Sequence, residues 1–122
     1  MATVLIVDDS PTEVHAYQQM LERHGFDVES ATDGETSIRK AEEVRPDLIL
    51  MDVVMPGMNG FQATRQLNKN PETARIPIII ISTKDQETDK VWGLRQGARD
   101  YVVKPVKEED LIERVKGLLG DA

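Results

Sequence analysis

The chain of 122 residues contains no cysteine, so disulfide bonds, thiolate metal ligands and thiol catalysis are excluded. It also lacks an excess of positive charge, since 15 Lys and Arg stand against 22 Asp and Glu, for a formal net charge of −7. Binding of nucleic acid through phosphate contacts needs a surplus of basic side chains, and this composition argues against it.

Long apolar runs are missing as well. The longest, Val4 to Val7 and Ile76 to Ile81 with Pro77 inside it, are far shorter than the roughly 20 residues that cross a bilayer. The first residues show no basic region followed by a long apolar stretch, so no secretory signal is predicted. We expect one cytoplasmic domain over residues 1–122, with no membrane insertion and a core that needs no metal or disulfide.

Short apolar runs alternate along the chain with longer amphipathic stretches, which is the pattern of repeated βα units. Three of the predicted strands are almost wholly apolar, which indicates a parallel sheet covered by helices on both faces. We predict an α/β fold, (βα)5, with a doubly wound parallel five-stranded sheet. The predicted strands are Thr3–Val7, Phe26–Ser30, Asp47–Met51, Ile78–Ile81 and Tyr101–Val103.

Helix ends are visible in the sequence. Ser10-Pro11-Thr12-Glu13 is typical of an N-cap serine, a proline in the first turn and a capping-box glutamate, and Gly25 is the predicted stop. The capping pattern returns at Thr32 to Glu35, and Arg45-Pro46 ends that second helix. A third helix is predicted to begin near Gly60.

Polar side chains follow four of the five predicted strands. Asp8 and Asp9 come after the first, Asp52 after the third, Ser82 after the fourth and Lys104 after the fifth. In open α/β sheets, ligands bind beyond the carboxyl ends of the strands. If these four strands are neighbours, three carboxylates, a hydroxyl and an ammonium converge on one edge of the sheet.

Such a cluster has a definite chemistry. Three carboxylates within about 4 to 5 Å repel one another by roughly 3 to 4 kcal/mol per pair at an effective dielectric near 20, so they need a cation. Hard oxygen ligands with positions open for water and phosphate suit Mg²⁺ better than Ca²⁺. The pattern predicts a phosphoryl site in which one Asp is the nucleophile, while Lys104 and Ser82 contact the phosphoryl oxygens.

Each element alone has a plainer interpretation. An Asp after a strand is most often a turn residue or a helix cap, and a Lys-Pro after a strand is usually part of a surface loop. The coincidence of all of them at strand ends favours a site.

Four segments of the chain carry a family resemblance: Val4–Ser10, Leu50–Gly60, Ile80–Thr83 and Gly97–Pro105. With these segments the chain resembles the receiver domain of two-component response regulators, over its whole length. The resemblance implies the flavodoxin-like, CheY-like strand order 2-1-3-4-5.

The resemblance implies a role for each site residue. Asp52 accepts a phosphoryl group from the phosphohistidine of a histidine kinase and forms an acyl phosphate, and Lys104 pairs with the phosphoryl oxygens. The implied Mg²⁺ ligands are Asp52, Asp9 directly, Asp8 largely through water, and the backbone carbonyl of Val54. The family is one of signalling proteins rather than enzymes.

A conformational switch is implied as well. Ser82 moves toward the phosphoryl group and Tyr101 swings inward behind it, so that phosphorylation shifts a two-state population. The Lys104–Pro105 bond is expected to be cis. Thr83 stands where the family usually has a smaller residue, so we expect a narrower gap for Tyr101.

Val54 and Lys84 occupy positions that tune the access of hydrolytic water in the family. An apolar side chain beside a lysine provides no obvious polar group to position that water, so we expect slow autodephosphorylation.

Within the family, Gly60–Leu67 and Thr83–Tyr101 resemble the stand-alone response regulators of type IV pilus twitching motility. The chain ends at Gly120-Asp121-Ala122 soon after the last predicted helix, so no fused output module is expected. The implied partners are a CheA-like histidine kinase as phosphodonor and an output protein such as the pilus motor or one of its regulators. The expected oligomeric state is a monomer or weak dimer.

Three alternatives stay open. A magnesium-dependent phosphohydrolase of the haloacid-dehalogenase type needs a second Asp two residues after its nucleophile, where this chain has Val54. A flavodoxin-like cofactor binder needs a Ser/Thr/Gly-rich loop after the first strand, where Asp8-Asp9 would repel phosphate. A degenerate receiver acting as a scaffold would lack site residues that are all present here.

Three other residues attract attention. His15 and His24 lie on the first helix with no second ligand at i+3 or i+4, so we expect exposed side chains rather than a metal or phosphohistidine site. Trp92 is expected to be half exposed near the output face and to pack against a neighbouring helix.

Overall fold

A computed structural model describes residues 2–120, and within this range five strands and five helices alternate. The strands are Thr3–Val7 (β1), Asp27–Ala31 (β2), Leu48–Asp52 (β3), Ile78–Ser82 (β4) and Asp100–Val103 (β5). The helices are Pro11–Arg23 (α1), Gly34–Val44 (α2), Gly60–Lys69 (α3), Glu87–Arg95 (α4) and Glu108–Leu119 (α5). The expected chain ending at Asp121 and Ala122 lies outside the described residues.

All neighbouring strands run parallel, in the order β2-β1-β3-β4-β5, which confirms the predicted (βα)5 topology. Val7 pairs with Met51 on one side, Asp52 with Ile81, and Ser82 with Val103. This register places the carboxyl ends of β1, β3, β4 and β5 at one edge of the sheet.

The core lies on both faces of the sheet because successive side chains of a strand point to opposite sides. Helices α2 and α3 cover one face and α1 and α5 the other. Strands β3 and β4 are buried at every position, as expected for central strands of a covered parallel sheet.

Four of the five strands differ from the predicted ones, each by one residue at one or both ends. Strand β2 begins after Phe26, whose ring is buried in the core, and β3 begins after Asp47, whose carboxylate accepts from the Thr3 backbone N–H at 2.8 Å. Strand β5 begins one residue earlier than predicted, and β4 ends one residue later. As a result Asp52 and Ser82 are the last residues of their strands rather than loop residues, so the sheet positions both.

The start of α1 corrects one prediction. Ser10 is the N-cap, and its hydroxyl accepts from the Glu13 backbone N–H at 3.3 Å. The Glu13 carboxylate does not complete a capping box, because the Ser10 backbone N–H donates to Asp8 Oδ1 at 2.9 Å. Gly25 follows the helix end with φ of 86°, the left-handed conformation expected of a stop.

The start of α3 approaches β3 very closely. The Gly60 N–H donates to the Val53 carbonyl at 2.9 Å, and a Cβ at Gly60 would lie 2.0 Å from the Asp52 carbonyl oxygen. Only glycine fits at this approach.

None of the helices within residues 2–120 combines the length and the apolar character needed to cross a membrane.

Candidate functional site

Three carboxylates meet at the carboxyl edge of the sheet. Asp8 and Asp9 follow β1 and Asp52 ends β3, and their carboxylate oxygens lie within 4.8 Å of one another. Asp8 and Asp52 are buried, with 2% and 8% of their surface exposed, whereas Asp9 is exposed. The cluster therefore has two buried walls and one side open to solvent.

Burial dominates the electrostatics of Asp8. It raises the pKa of the carboxyl to about 6, against the opposing effect of the hydrogen bond from Ser10 and with a further rise from Asp52. Within the described residues, Asp8 Oδ2 is buried without a hydrogen-bond partner. A buried acceptor without a partner costs about 1 to 3 kcal/mol, so this atom lacks a ligand that a cation or its water would supply.

These residues fit a Mg²⁺ ion. Carboxylate oxygens are the ligands that this ion prefers, and it retains water at its open positions. Val54, implied as the backbone ligand, follows Asp52 by two residues, and its side chain is 63% exposed. The unpartnered Asp8 oxygen is the observation that favours a cation here.

Lys104 reaches the carboxylates from the end of β5. Its Nζ lies 3.0 Å from Asp52 Oδ1, 2.7 Å from Glu13 Oε1 and 3.9 Å from Asp8 Oδ2. Burial lowers the pKa of Lys104, but the hydrogen bonds to Glu13 and Asp52 outweigh it, so the pKa is raised overall. The ammonium is thus charged and held against Asp52. The Lys104–Pro105 bond is cis, as expected.

Glu13 is the site residue that the sequence analysis missed. Its position three residues after a Ser N-cap predicts a capping box, and nothing local shows that it lies beside Lys104. The position of Glu13 on the helix is the signal that could have identified it, because Tyr17, one turn later on the same face, is buried. The Tyr17 hydroxyl donates at 3.4 Å to the Glu13 oxygen that contacts Lys104.

Ser82, Lys84 and Tyr101 are connected behind the carboxylates. The buried hydroxyl of Ser82 accepts from the Lys84 N–H at 3.0 Å, and the Tyr101 hydroxyl donates to the Lys84 carbonyl at 2.8 Å. The Tyr101 ring is buried against Gly93 of α4, and burial raises the pKa of its hydroxyl. Thr83 is exposed, and the narrower gap expected from it stays a prediction.

The segment that follows Asp52 lines a groove. Val54, Lys84 and Trp92 line it, together with Met55 and Phe61. Trp92 is 50% exposed, in agreement with the prediction. In this groove, the apolar side chain of Val54 and the ammonium of Lys84 lie next to the segment that follows Asp52.

The two histidines of α1 and its end are exposed, as predicted. His24 Nε2 lies 3.1 Å from Glu108 Oε2, a surface contact between the end of α1 and the start of α5. Within the described residues, no hydrogen bond or ion pair joins either histidine to the carboxylate cluster, so neither is placed in this site.

Comparisons with known proteins agree with this geometry. Residues 4–116 match the model of the response regulator receiver domain. The chain is 59% identical over 119 residues to Protein PilH of Pseudomonas aeruginosa, a match that covers 98% of each chain.

Two solved structures are similar over nearly the whole chain. Chemotaxis protein CheY4 of Vibrio cholerae has a TM-score of 0.91 and 33% identity, covering 97% of this chain and 98% of that one. The receiver domain of a sensor histidine kinase from Pseudomonas aeruginosa has a TM-score of 0.90 and 32% identity, covering 98% of each. In that structure a magnesium ion is coordinated in the active-site cleft.

Proposed function

Because this chain belongs to the response regulator receiver domain family, we propose that it is a two-component signalling protein that a histidine kinase phosphorylates on Asp52. The observation that carries the proposal is the 3.0 Å contact between Lys104 Nζ and Asp52 Oδ1 inside the carboxylate cluster. A carboxylate held by one ammonium, among further anions that need a cation, suits transfer of a phosphoryl group better than a structural turn does.

In the proposed reaction an Asp52 oxygen attacks the phosphorus of a phosphohistidine. The new P–O bond gives an acyl phosphate, the P–N bond breaks, and the imidazole nitrogen keeps the bond electrons and takes a proton from solvent. Lys104 pairs with the phosphoryl oxygens, and the Ser82 hydroxyl donates to one of them.

Asp8, Asp9, Asp52 and the Val54 carbonyl would hold the Mg²⁺ ion. When bound, the ion supplies positive charge that offsets the phosphoryl oxygens. Asp8 and Asp9, which follow β1, would help to hold it, and the ion or its water would give the buried Asp8 oxygen the partner that it otherwise lacks.

The output is a protein–protein signal. Movement of Ser82 toward a phosphoryl oxygen would alter its link to Lys84 and Tyr101, and with it the surface of α4, β5 and α5. We assign this signal to type IV pilus twitching motility, on the resemblance of Gly60–Leu67 and Thr83–Tyr101 and on the 59% identity to PilH. The phosphodonor is a CheA-like kinase, the output partner is the pilus motor or one of its regulators, and the protein acts in the cytoplasm as a monomer or weak dimer.

The alternatives are less well supported. Val54 gives a phosphohydrolase no general acid, and its exposed apolar side chain favours a long-lived acyl phosphate instead. A scaffold needs no ammonium held 3.0 Å from its acceptor carboxylate.

The test is incubation with acetyl phosphate, or with beryllofluoride and Mg²⁺, comparing the parent with Asp52→Asn. We expect a mass increase of one phosphoryl group and a change in fluorescence of Trp92, the single tryptophan of the chain, both lost in Asp52→Asn. Asp27→Asn, at an exposed carboxylate of β2, is the matched control and retains both. A parent without any metal-dependent change that Asp52→Asn removes contradicts the proposal.

A further inference from the structure

Glu13 contacts Lys104 more closely than the phosphoryl acceptor does. Its Oε1 lies 2.7 Å from Lys104 Nζ, whereas Asp52 Oδ1 lies at 3.0 Å. Glu13 lies on α1 and its side chain is partly exposed, outside the cluster formed by the three aspartates. The contact therefore joins the first helix to the end of β5.

Two observations indicate that the Glu13 carboxylate contacts Lys104 rather than capping its own helix. The Ser10 N–H, which a capping-box glutamate would accept, already donates to Asp8, so the Glu13 carboxylate has no role at the helix end. The Tyr17 hydroxyl donates to the same Glu13 oxygen at 3.4 Å from a buried ring, which orients the carboxylate toward Lys104.

Because of the charges at the site, Glu13 would compete with a phosphoryl group for the Lys104 ammonium. In the described part of the chain, the Lys104 ammonium lies within 4 Å of the carboxylates of Asp8, Asp52 and Glu13, and Asp9 joins Asp8 and Asp52 in the cluster, so one positive charge meets four negative ones, 1 − 4 = −3. A phosphoryl group adds further negative charge at Asp52. An ammonium has three N–H donors, and two of them are engaged by Glu13 and Asp52.

We propose that Glu13 is a positioning residue that holds Lys104 in the unphosphorylated protein and competes with the phosphoryl oxygens for its ammonium. The inference rests on the proposed function. In this proposal, Lys104 exchanges Glu13 for a phosphoryl oxygen on phosphorylation, which releases the first turn of α1 from the end of β5. Glu13 thereby opposes the phosphorylated state and sets how strongly a phosphodonor must drive it.

The test uses Glu13→Gln, which keeps the shape and removes the charge. Beryllofluoride, whose fluorines stand in for phosphoryl oxygens, is titrated at saturating Mg²⁺ with Trp92 fluorescence as the readout, and Mg²⁺ is titrated alone. We expect beryllofluoride to bind about fivefold more tightly, the factor for one unit charge at about 4 Å in a high dielectric. Mg²⁺ alone is not expected to bind more tightly, since a carboxylate attracts the cation.

Glu22→Gln is the matched control, because Glu22 is an exposed carboxylate on the same helix, beyond the site. It should leave both affinities within about twofold of the parent's, since exposed charges beyond a Debye length are screened. A general disturbance of α1 would weaken beryllofluoride binding, so tighter binding separates competition for Lys104 from a structural role.

A second pair of variants tests whether the effect passes through Lys104. In a Lys104→Met background, Glu13→Gln should change beryllofluoride affinity by less than about twofold, because the shared ammonium is gone. Should Glu13→Gln fail to fold, Glu13→Ala is measured instead, with the same direction expected.

The outcomes separate the two proposals. A parent protein without any response to beryllofluoride and Mg²⁺ overturns the proposed function and this inference with it. A parent that responds, together with unchanged or weaker binding in Glu13→Gln, overturns the role of Glu13 alone. A tightening that persists at full size in the Lys104→Met background also overturns it.

Discussion

Ser82 and Tyr101 are linked through one backbone segment, since Lys84 donates its N–H to the Ser82 hydroxyl and accepts from the Tyr101 hydroxyl at its carbonyl. The two hydrogen bonds measure 3.0 Å and 2.8 Å, so the backbone of Lys84 lies between the Ser82 hydroxyl and the Tyr101 hydroxyl. A displacement of Ser82 is therefore passed to the segment that holds Tyr101.

Removing the Tyr101 hydroxyl tests this link. Tyr101→Phe leaves the Lys84 carbonyl without its partner and should lower the free energy of unfolding by about 1 kcal/mol. It should also reduce the Trp92 fluorescence change on addition of beryllofluoride and Mg²⁺. Tyr17→Phe is the control, because its 3.4 Å bond to Glu13 is long and should contribute less in urea denaturation. Equal losses in both variants contradict the expected link.

Two helix glycines give opposite predictions. A Cβ at Gly93 would lie 2.9 Å from Ile80 Cδ1 and 3.0 Å from Tyr101 Cδ2, so Gly93→Ala should destabilise by about 1 to 3 kcal/mol. A Cβ at Gly117 on α5 meets no atom of the described chain within 4 Å, so Gly117→Ala should stabilise by up to about 1 kcal/mol. Thermal or urea unfolding measures both, and a stabilised Gly93→Ala would show that Tyr101 leaves the ring site at no cost.

The buried Asp8 carboxyl predicts a pH dependence of the metal-free protein. Its pKa rises on folding from 3.8 to about 6, so the folded state binds the proton more tightly. The resulting stability is present below about pH 4 and is lost as the pH rises toward 6 and above, by up to about 3 kcal/mol. Asp8→Asn, neutral at every pH, should lack this loss and unfold at higher urea concentration near neutral pH. Parallel pH profiles for parent and variant would contradict the prediction.

Mg²⁺ should reverse part of this loss. A ligand at ten times its dissociation constant stabilises by about 1.4 kcal/mol, and the gain should shrink below about pH 6 because protons compete for Asp8. Thermal unfolding with and without Mg²⁺ measures it. Asp9→Asn should lower the gain, whereas an equal gain in that variant would place the ion elsewhere.

The acyl phosphate should be long-lived. Val54 has no polar side-chain atom and lies beside Lys84 in the groove near Asp52, so attacking water has no group to position it. We expect the acyl phosphate of Val54→Asn to hydrolyse several-fold faster than that of the parent. Mass spectrometry over time measures the loss of the phosphoryl group. Decay of the parent within seconds at neutral pH with Mg²⁺ alone would refute the expectation.

Much of this architecture could be predicted because its signals are local or periodic. Apolar runs define the strands, and parallel strands necessarily bring Asp8, Asp52 and Ser82 to one edge. Strand ends were missed by one residue where a side chain is used differently, as at Phe26, a core residue outside the ladder, and Asp47, a partner of Thr3.

Glu13 could not be predicted in the same way. Two structures compete for its carboxylate, a cap formed within one helical turn and a contact with Lys104 from the far end of the chain. The local pattern favours the cap, but Asp8 takes the Ser10 N–H first. Long-range contacts of this kind depend on the finished topology rather than on any window of sequence.

The close approach of Gly60 to Asp52 has a consequence for how the chain tolerates change. A Cβ at Gly60 would lie 2.0 Å from the Asp52 carbonyl oxygen, so the main chain of Asp52 has no free space next to α3. Moving α3 away to create that space would break the hydrogen bond from the Gly60 N–H to the Val53 carbonyl. Rearrangement is therefore expected in other elements, β4, β5 and the first turn of α1, so variation there should tune the signal. Variation at Gly60 should abolish the folded protein before signalling can be measured.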